Sequence, residues 1–158
     1  MCKFLLALGL LFATPAAAQV DDRLLLETAR REGAFNPVLV VAVIKIESGG
    51  NPRALNQGHY GLMQLAPATA RLMGFVGPTA NLFNWKVNLR YGTRYLNYQA
   101  ERYEGHITQV LAAYNAGTAL LCGRRQRCTE GRFINHGYVK TTLINYRRLV
   151  EEFGPKIP

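Results

Sequence analysis

One carboxyl group stands where the surrounding sequence favours acid chemistry. Glu47 closely follows an uninterrupted apolar run, residues 38–44, and the glycines Gly49 and Gly50 come almost directly after it. An apolar run without a polar face predicts a helix that is buried on most sides. At the carboxyl end of such a helix, desolvation and the negative end of the helix dipole both raise the pKa of a carboxyl group. A group that keeps its proton near neutral pH can act as a general acid.

The rest of the chain offers Glu47 few other acids as partners. The 158 residues include 19 Lys and Arg against 10 Asp and Glu, a net charge of +9, and the aspartates Asp21 and Asp22 both precede the apolar run. Between residues 33 and 150 the further acids are Glu101, Glu104 and Glu130. A two-metal site or a calcium loop needs a cluster of acids, so we expect no metal and no organic cofactor. The alternative for Glu47 is a solvent-facing side chain or one paired with a nearby basic residue.

Residues 1–18 have the three-part layout of a secretory signal peptide. A basic start at 1–3 precedes an apolar run at 4–12, and the alanines at 16–18 offer an A-x-A cleavage site. The apolar run is too short to cross about 30 Å of hydrocarbon. We therefore expect cleavage before Gln19 and a soluble mature chain that is periplasmic or secreted, with no membrane span.

Two cysteines, Cys122 and Cys128, remain after this cleavage. An even number of cysteines in an oxidising compartment favours a disulfide, here closing a small basic loop, over two free thiols. A zinc site would need more ligands than these two thiols supply.

The positive charge of the chain favours an acidic partner. Nucleic acid, anionic lipid and an anionic wall polymer all meet this condition. Nucleic acid fits poorly behind a signal peptide, and no motif for binding it is present, so we expect no nucleic-acid partner.

Apolar spacing and turn residues predict a mainly α fold, in one domain spanning residues 19–158. A helix is expected where a capping residue or a proline opens an apolar periodic segment and a glycine or a similar breaker closes it. These segments run from Asp21 or Asp22 to near Gly33, from Asn36 through Ile46, from Pro67 to Gly74, from Phe83 to Arg102 and from His106 to Ala116. A last helix is predicted by the shared face of Val139, Leu143, Tyr146, Val150 and Phe153. No hairpin pair and no internal repeat is evident.

Three motifs, the first of which contains Glu47, follow one another along the chain. The sequence reads Glu-Ser-Gly-Gly-Asn-Pro at 47–52, Gly-Leu-Met-Gln-Leu-Ala-Pro at 61–67 and Ala-Ala-Tyr-Asn-Ala-Gly at 112–117. In this order they resemble the lytic transglycosylase family with a lysozyme-like domain, related to the catalytic domain of soluble lytic transglycosylases. The segment 82–96 and the pair at 138–139 also resemble motifs of this family. The resemblance covers nearly the whole mature chain.

The resemblance implies a lysozyme-like single domain that cleaves the β-1,4 bond between N-acetylmuramic acid and N-acetylglucosamine in peptidoglycan. It implies Glu47 as the catalytic acid and base. The further positions that it matches to the cleft are Ser48, Met63, Gln64, Tyr114, Asn115 and Tyr138. The alternative for Met63 and Tyr114 is a place in the core, and the alternative for Asn115 is to help end its helix. The alternatives for Ser48 are to end its helix or to fix Glu47. Family members typically form 1,6-anhydromuramic ends rather than adding water.

The scarcity of acids agrees with this chemistry independently of the resemblance. An ordinary glycosidase uses two carboxyl groups. With one carboxyl group, the substrate must supply the second function: the 2-acetamido group of the muramic sugar stabilises the developing cation, and the 6-hydroxyl of the same sugar attacks in place of water. Glu47 would act first as acid and then as base, while Gln64 and Tyr114 orient it or the acetamido group.

Two other functions remain open on the sequence alone. A goose-type or phage-type lysozyme would let water complete the reaction, and a non-catalytic binding module would keep the cleft for wall recognition. The expected partners are peptidoglycan glycan strands and, for a local wall-opening enzyme, a secretion, conjugation or flagellar apparatus. The chain is expected to be a monomer.

Overall fold

The structure, a computed structural model, describes residues 19–123 and 132–154. The α-helices of this part of the chain are α1 (Asp22–Arg31), α2 (Pro37–Ser48), α3 (Pro67–Leu72), α4 (Trp85–Arg102), α5 (Ile107–Ala116) and α6 (His136–Phe153). A 3-10 helix covers Thr79–Phe83, and two short strands are β1 (Leu55–Asn56) and β2 (His59–Tyr60). The mainly helical prediction is confirmed, and each predicted segment corresponds to one α-helix, although α2 ends two residues later than expected. Within the described ranges, no helix is both long and apolar enough to span a membrane.

Helix α2 forms the centre of the core, as its apolar sequence predicts. Residues 39–44 are buried, and the helix packs against α6 and α1. Asn36 caps the first turn by accepting a hydrogen bond from the Leu39 N–H at 3.1 Å. Gly49 ends the helix with φ of 63°, a left-handed conformation that glycine adopts without strain. The burial of α2 therefore fixes where Glu47, in its last turn, meets solvent.

The hairpin of β1 and β2 corrects the expectation that no hairpin is present. The two strands are antiparallel, and Gln57 and Gly58 form the turn between them with φ of 47° and 80°. Positive φ at both turn positions is typical of a type I′ turn. Each strand has two residues, so no alternating pattern could reveal it, and Gln stands where Asn or Asp usually signals this turn.

The buried face of α6 contains four of the five expected residues: Val139 is buried, and Leu143, Tyr146 and Phe153 pack against the core. Thr142 and Leu149 lie inside, whereas Val150, expected inside, is 38% exposed. Thr142 tolerates burial because its hydroxyl donates to the Tyr138 carbonyl at 2.8 Å. A threonine counts as polar in a hydrophobic pattern, so the spacing did not mark Thr142 as part of the buried face.

Candidate active site

A cavity of about 390 Å³ opens beside the last turn of α2. The residues that line it include Glu47, His59, Gln64, Tyr95, Tyr114 and Asn115. Among the described residues, Glu47 is the one carboxyl group in this lining. A second cavity of about 440 Å³ runs along α6, and none of the described residues that line it carries a carboxyl group. Of these two cavities, the first is the one that offers a carboxyl group for acid–base chemistry.

The surroundings of Glu47 favour its protonated form. Burial raises the pKa of Glu47, while a hydrogen bond from Tyr138 and the nearby His59 imidazole lower it by less than burial raises it. The Tyr138 hydroxyl donates to Glu47 Oε1 at 2.8 Å. The carboxyl group therefore keeps its proton to a higher pH than an exposed glutamate does, which a general acid requires. The sequence-based expectation of a raised pKa is met, with desolvation as the main cause.

Two tyrosine hydroxyls beside Glu47 stay protonated and act as donors. Burial raises the pKa of both Tyr114 and Tyr138 well above the ordinary value, and the charge of Glu47 raises both further. Tyr138 donates a hydrogen bond to Glu47, whereas Tyr114 donates to the Met63 carbonyl at 2.9 Å. The Tyr114 ring packs against Tyr95, with 5.1 Å between the ring centroids. Tyr114 thus lies in the cavity wall with its hydroxyl turned to the protein.

Met63 lies behind the site rather than in it. Its side chain is fully buried and packs on α4 at Gly92, where an added Cβ would come within 2.3 Å of the Met63 sulfur. Only glycine leaves room for this contact. The structure favours the core alternative for Met63, which serves the site through the backbone carbonyl that Tyr114 holds.

Gln64 lines the cavity with its amide nitrogen already engaged. The Nε2 atom donates to the Ala54 and Gly61 carbonyls at 3.1 and 2.9 Å. These bonds hold the side chain in one orientation, although the backbone of Gln64 has the left-handed φ of 46°. The Oε1 atom has no hydrogen-bond partner among the described residues, so it is free to accept one from a sugar hydroxyl or amide.

Ser48 joins the end of α2 to the loop that carries Gln64. Its hydroxyl donates to the Leu62 carbonyl at 2.7 Å and accepts from the Gly50 N–H at 3.2 Å. These bonds fit both alternatives for Ser48, because the side chain closes the helix end that carries Glu47 and ties that end to the neighbouring loop. It holds the residue next to Glu47 in place without lining the cavity.

Asn88 of α4 holds the same loop from the other side. Its side chain is fully buried, its Oδ1 accepts from the Met63 N–H at 2.8 Å, and its Nδ2 donates to the Tyr60 and Leu82 carbonyls at 2.6 and 2.9 Å. Gly61 passes so close, with φ of 71°, that an added Cβ would lie 2.5 Å from Asn88 Nδ2. The position of the loop therefore depends on the close packing of Gly61 against Asn88.

Asn115 connects the cavity to the start of α6. Its Oδ1 accepts from Asn135 Nδ2 at 2.8 Å, and the same nitrogen donates to the Ala112 carbonyl at 2.9 Å. Asn135 directly precedes the helix that carries Tyr138, so this contact helps to place that tyrosine. Sequence reasoning missed Asn135, because it stands in an irregular segment where no spacing pattern marks it.

Three of the sequence predictions reach residues that the structure does not describe. Cys122 is buried, with 3% exposure, but Cys128 lies outside the described residues, as do residues 1–18. The disulfide and the signal peptide therefore stay predictions, and so does the domain boundary before Gln19.

Replacing Glu47 by glutamine is expected to stabilise the protein at neutral pH. Because the folded state raises the pKa of this carboxyl group, its contribution to the free energy of unfolding is fully present at low pH and is lost as the pH rises through the raised pKa. Glutamine avoids the burial of a charge and can still accept the Tyr138 hydrogen bond. We expect a higher Tm than wild type at about pH 8, and a difference that shrinks toward about pH 4, where the glutamate is protonated too. A Tm difference that grows at low pH would contradict the assignment.

The fold is that of known lytic transglycosylase structures. The structure of an inactive mutant of the lytic transglycosylase Slt from Pseudomonas aeruginosa superposes on 85% of this chain, with a TM-score of 0.69 and 26% identity, and the match covers 25% of the length of Slt. The 70 kDa soluble lytic transglycosylase from Escherichia coli superposes on 78% of this chain, with a TM-score of 0.55 and 24% identity, and the match covers 19% of the length of that protein. The class of protein is therefore a lysozyme-like helical domain, as the resemblance implied.

The family follows from the sequence matches. Residues 24–126, more than half of the chain, match the family described as the transglycosylase SLT domain, and the chain belongs to this family. It is 39% identical over 85 residues to a transglycosylase of Enterobacteria phage PRD1, and 39% identical over 79 residues to the endo-type membrane-bound lytic murein transglycosylase A of Enterobacter sp. strain 638. These matches span 53% and 45% of this chain, but 30% and 39% of the relatives' own lengths.

Proposed function

We propose that this protein is a peptidoglycan lytic transglycosylase that cleaves the β-1,4 bond between N-acetylmuramic acid and N-acetylglucosamine and leaves 1,6-anhydromuramic ends. The observation that carries the proposal is the placement of Glu47, a half-buried carboxyl group with a raised pKa, unaccompanied by a second carboxyl group in the described cavity lining. Membership in the SLT family supports the reaction class.

In the proposed first step, Glu47 acts as the acid. The protonated carboxyl group gives its proton to the glycosidic oxygen as the bond from C1 of the muramic sugar to that oxygen breaks, and the N-acetylglucosamine unit leaves with a free hydroxyl. The acetamido oxygen of the muramic sugar stabilises the positive charge that develops at C1. No second protein carboxylate is needed for this step.

In the proposed second step, Glu47 acts as the base. Now a carboxylate, it takes the proton of the 6-hydroxyl of the same muramic sugar, and that oxygen bonds to C1 as the acetamido oxygen withdraws. The carboxyl group regains its proton, so the enzyme ends as it began. Gln64 and Asn115, which line the cavity, are proposed to hold the sugar, whereas Ser48 and the Met63 carbonyl act by holding the loop and Tyr114.

Tyr138 is proposed to position the Glu47 carboxyl group and to tune its pKa. Because its hydrogen bond lowers the pKa of Glu47, Tyr138→Phe should raise that pKa and shift the alkaline limb of kcat/KM to higher pH, while the maximum rate falls. The matched control is Tyr146→Phe on the same helix, whose hydroxyl contacts Asn36 instead; it should leave the limb in place. A limb that stays or moves to lower pH in Tyr138→Phe would reject this role.

Digestion of purified peptidoglycan, read by mass spectrometry, tests the proposed reaction. Anhydro-muropeptides, one water lighter than hydrolysed products, are the expected result. Reducing muramic ends would favour a lysozyme-type hydrolase instead. Sedimentation with the wall without any product would favour a binding module.

Export, a cleaved signal peptide, a structural Cys122–Cys128 disulfide and a monomeric state are parts of the same proposal. The wall lies outside the cytoplasm, so action on it requires the chain to leave the cell interior. The intact mass of the exported protein tests two parts at once, because it should lack residues 1–18 and a further two hydrogens. Association with a secretion, conjugation or flagellar apparatus is the biological setting that we propose for a local wall-opening enzyme.

A further inference from the structure

The side chain of Arg102, at the end of α4, is held at the border of the cavity. Its Nη1 donates to Gln99 Oε1 at 2.9 Å and to the Gly117 carbonyl at 3.1 Å, and Gly117 lines the cavity. The guanidinium lies over the rings of Tyr98 and Tyr103, at 5.6 and 5.3 Å from their centroids. An arginine held by two acceptors and two rings loses little freedom when it binds an anion.

One edge of this guanidinium is left for an external ligand. The Nε and Nη2 groups of Arg102 have no hydrogen-bond or carboxylate partner among the described residues, and the side chain is exposed. These two groups form the fork that matches a carboxylate with two parallel hydrogen bonds. Arg90 of the same helix uses this very edge on Glu32, with bonds of 3.0 to 3.1 Å. The free edge of Arg102 is therefore chemically suited to a carboxylate.

Arg102 lies next to the cavity, and this position indicates which carboxylate the arginine meets. Tyr98 stacks on Tyr95, with 6.4 Å between the ring centroids and 19° between the planes, and Tyr95 lines the cavity. Arg102 is thus separated from the cavity wall by one aromatic ring on one side and borders it directly at Gly117 on the other. A group attached to a sugar in the cavity can reach the arginine.

We propose that Arg102 binds a carboxylate of the peptide attached to the muramic sugar and so selects glycan strands that carry peptides. This inference rests on the proposed function, since it takes peptidoglycan as the substrate. In a strand that carries peptides, the lactyl carboxyl group of each muramic sugar is taken up in the amide bond to its peptide, so the free carboxylates lie on the peptides, where a bidentate arginine beside the cavity meets them. Arg102 is a specificity-determining residue and takes no part in bond cleavage.

Binding to two glycan fragments tests the inference. The protein with Glu47→Gln, which is expected to cleave only very slowly, is titrated with soluble peptide-bearing fragments whose peptide carboxylates are free and with the same fragments after these carboxylates have been converted to amides. We expect tighter binding of the fragment with free carboxylates, and a roughly ten-fold smaller preference after Arg102→Gln, because a charged bidentate contact is lost. Arg102→Lys keeps the charge but not the fork, so it should also lose most of the preference.

Arg94→Gln is the matched control for this experiment. Arg94 also lies on α4, covers the ring of Tyr91 and donates its Nη1 to a carbonyl, that of Met73, but neither of these partners lines the cavity; its loss should leave the preference unchanged. An unchanged preference in Arg102→Gln, or equal weakening for both fragments, would overturn the inference. Because the readout is a ratio of Kd values without turnover, this failure is distinct from that of the proposed function, which a lack of anhydro products from wild type would show.

Discussion

The Glu47→Gln protein is expected to cleave peptidoglycan about three orders of magnitude more slowly than wild type. Glutamine keeps the size of the side chain and can accept the Tyr138 hydrogen bond, but it has no proton to give to the glycosidic oxygen. It also cannot take the proton of the 6-hydroxyl. Both proposed steps therefore lose their proton carrier, and no other carboxyl group among the described cavity residues can replace it. The measurement is the initial rate of release of soluble muropeptides from purified peptidoglycan.

The same substitution at Glu27 provides the control for this experiment. Glu27 is an exposed residue of α1 with a loose ion pair to Arg31, 3.8 Å apart, so Glu27→Gln should retain the wild-type rate. Loss of activity through unfolding is separately excluded if Glu47→Gln melts at a higher temperature than wild type at neutral pH. A Glu47→Gln protein that retains a tenth or more of the rate would show that another group supplies the proton.

The second large effect is expected at Asn88. In Asn88→Leu, the Met63 N–H and the Leu82 carbonyl lose their buried partner, and the free energy of unfolding should fall by about 4 kcal/mol because each unpaired buried group costs roughly 1–3 kcal/mol. The Tyr60 carbonyl still accepts a hydrogen bond from the Leu65 N–H, so the loss of Asn88 costs less at this group. Chemical denaturation with urea measures the change. The rate of cleavage should fall as well, since Asn88 fixes the loop that carries Gln64.

Asn97→Leu on the same helix is the matched control. The Asn97 side chain also makes two backbone contacts, to the Gly33 carbonyl and the Phe35 N–H at 2.9 and 3.1 Å, but these lie where water can replace it. We expect a loss of about 1 kcal/mol there and no change in the rate of cleavage. A loss at Asn88 as small as that at Asn97 would mean that the loop does not depend on the buried amide.

A comparison of Asn36 with Asn88 and Asn135 shows why the roles of some residues could be predicted from the sequence and those of others could not. The Asn36 cap and the apolar run of α2 act within one helix, so their meaning depends on neighbours three or four positions away. Asn88 acts on backbone groups 6 to 28 positions away, and Asn135 on groups 20 and 23 positions away. No local pattern distinguishes such an asparagine from one that ends a helix or faces solvent.

Glu47 shows the same difference between local effects, which the sequence predicts, and long-range contacts, which it does not. The position of Glu47 at the end of an apolar segment is enough to predict a raised pKa, because the helix and its burial are local consequences of residues 38–44. That the Tyr138 hydroxyl donates to this carboxyl group across 91 positions is a consequence of α6 packing against α2. The sequence could name Tyr138 only through a family resemblance, and it contains no indication of the sign of its effect on the pKa of Glu47.

The sequence by itself determined the helical class, the helix segments, the family and the candidate acid, since each rests on spacing within a segment or on motifs in a fixed order. Tertiary structure decided which residues face the cavity: it placed Met63 in the core and the hairpin residue His59 in the cavity lining, and it left one edge of Arg102 open at the border. The physical reason is that exposure and hydrogen-bond partners depend on how the helices pack. Packing brings together residues that the chain keeps far apart.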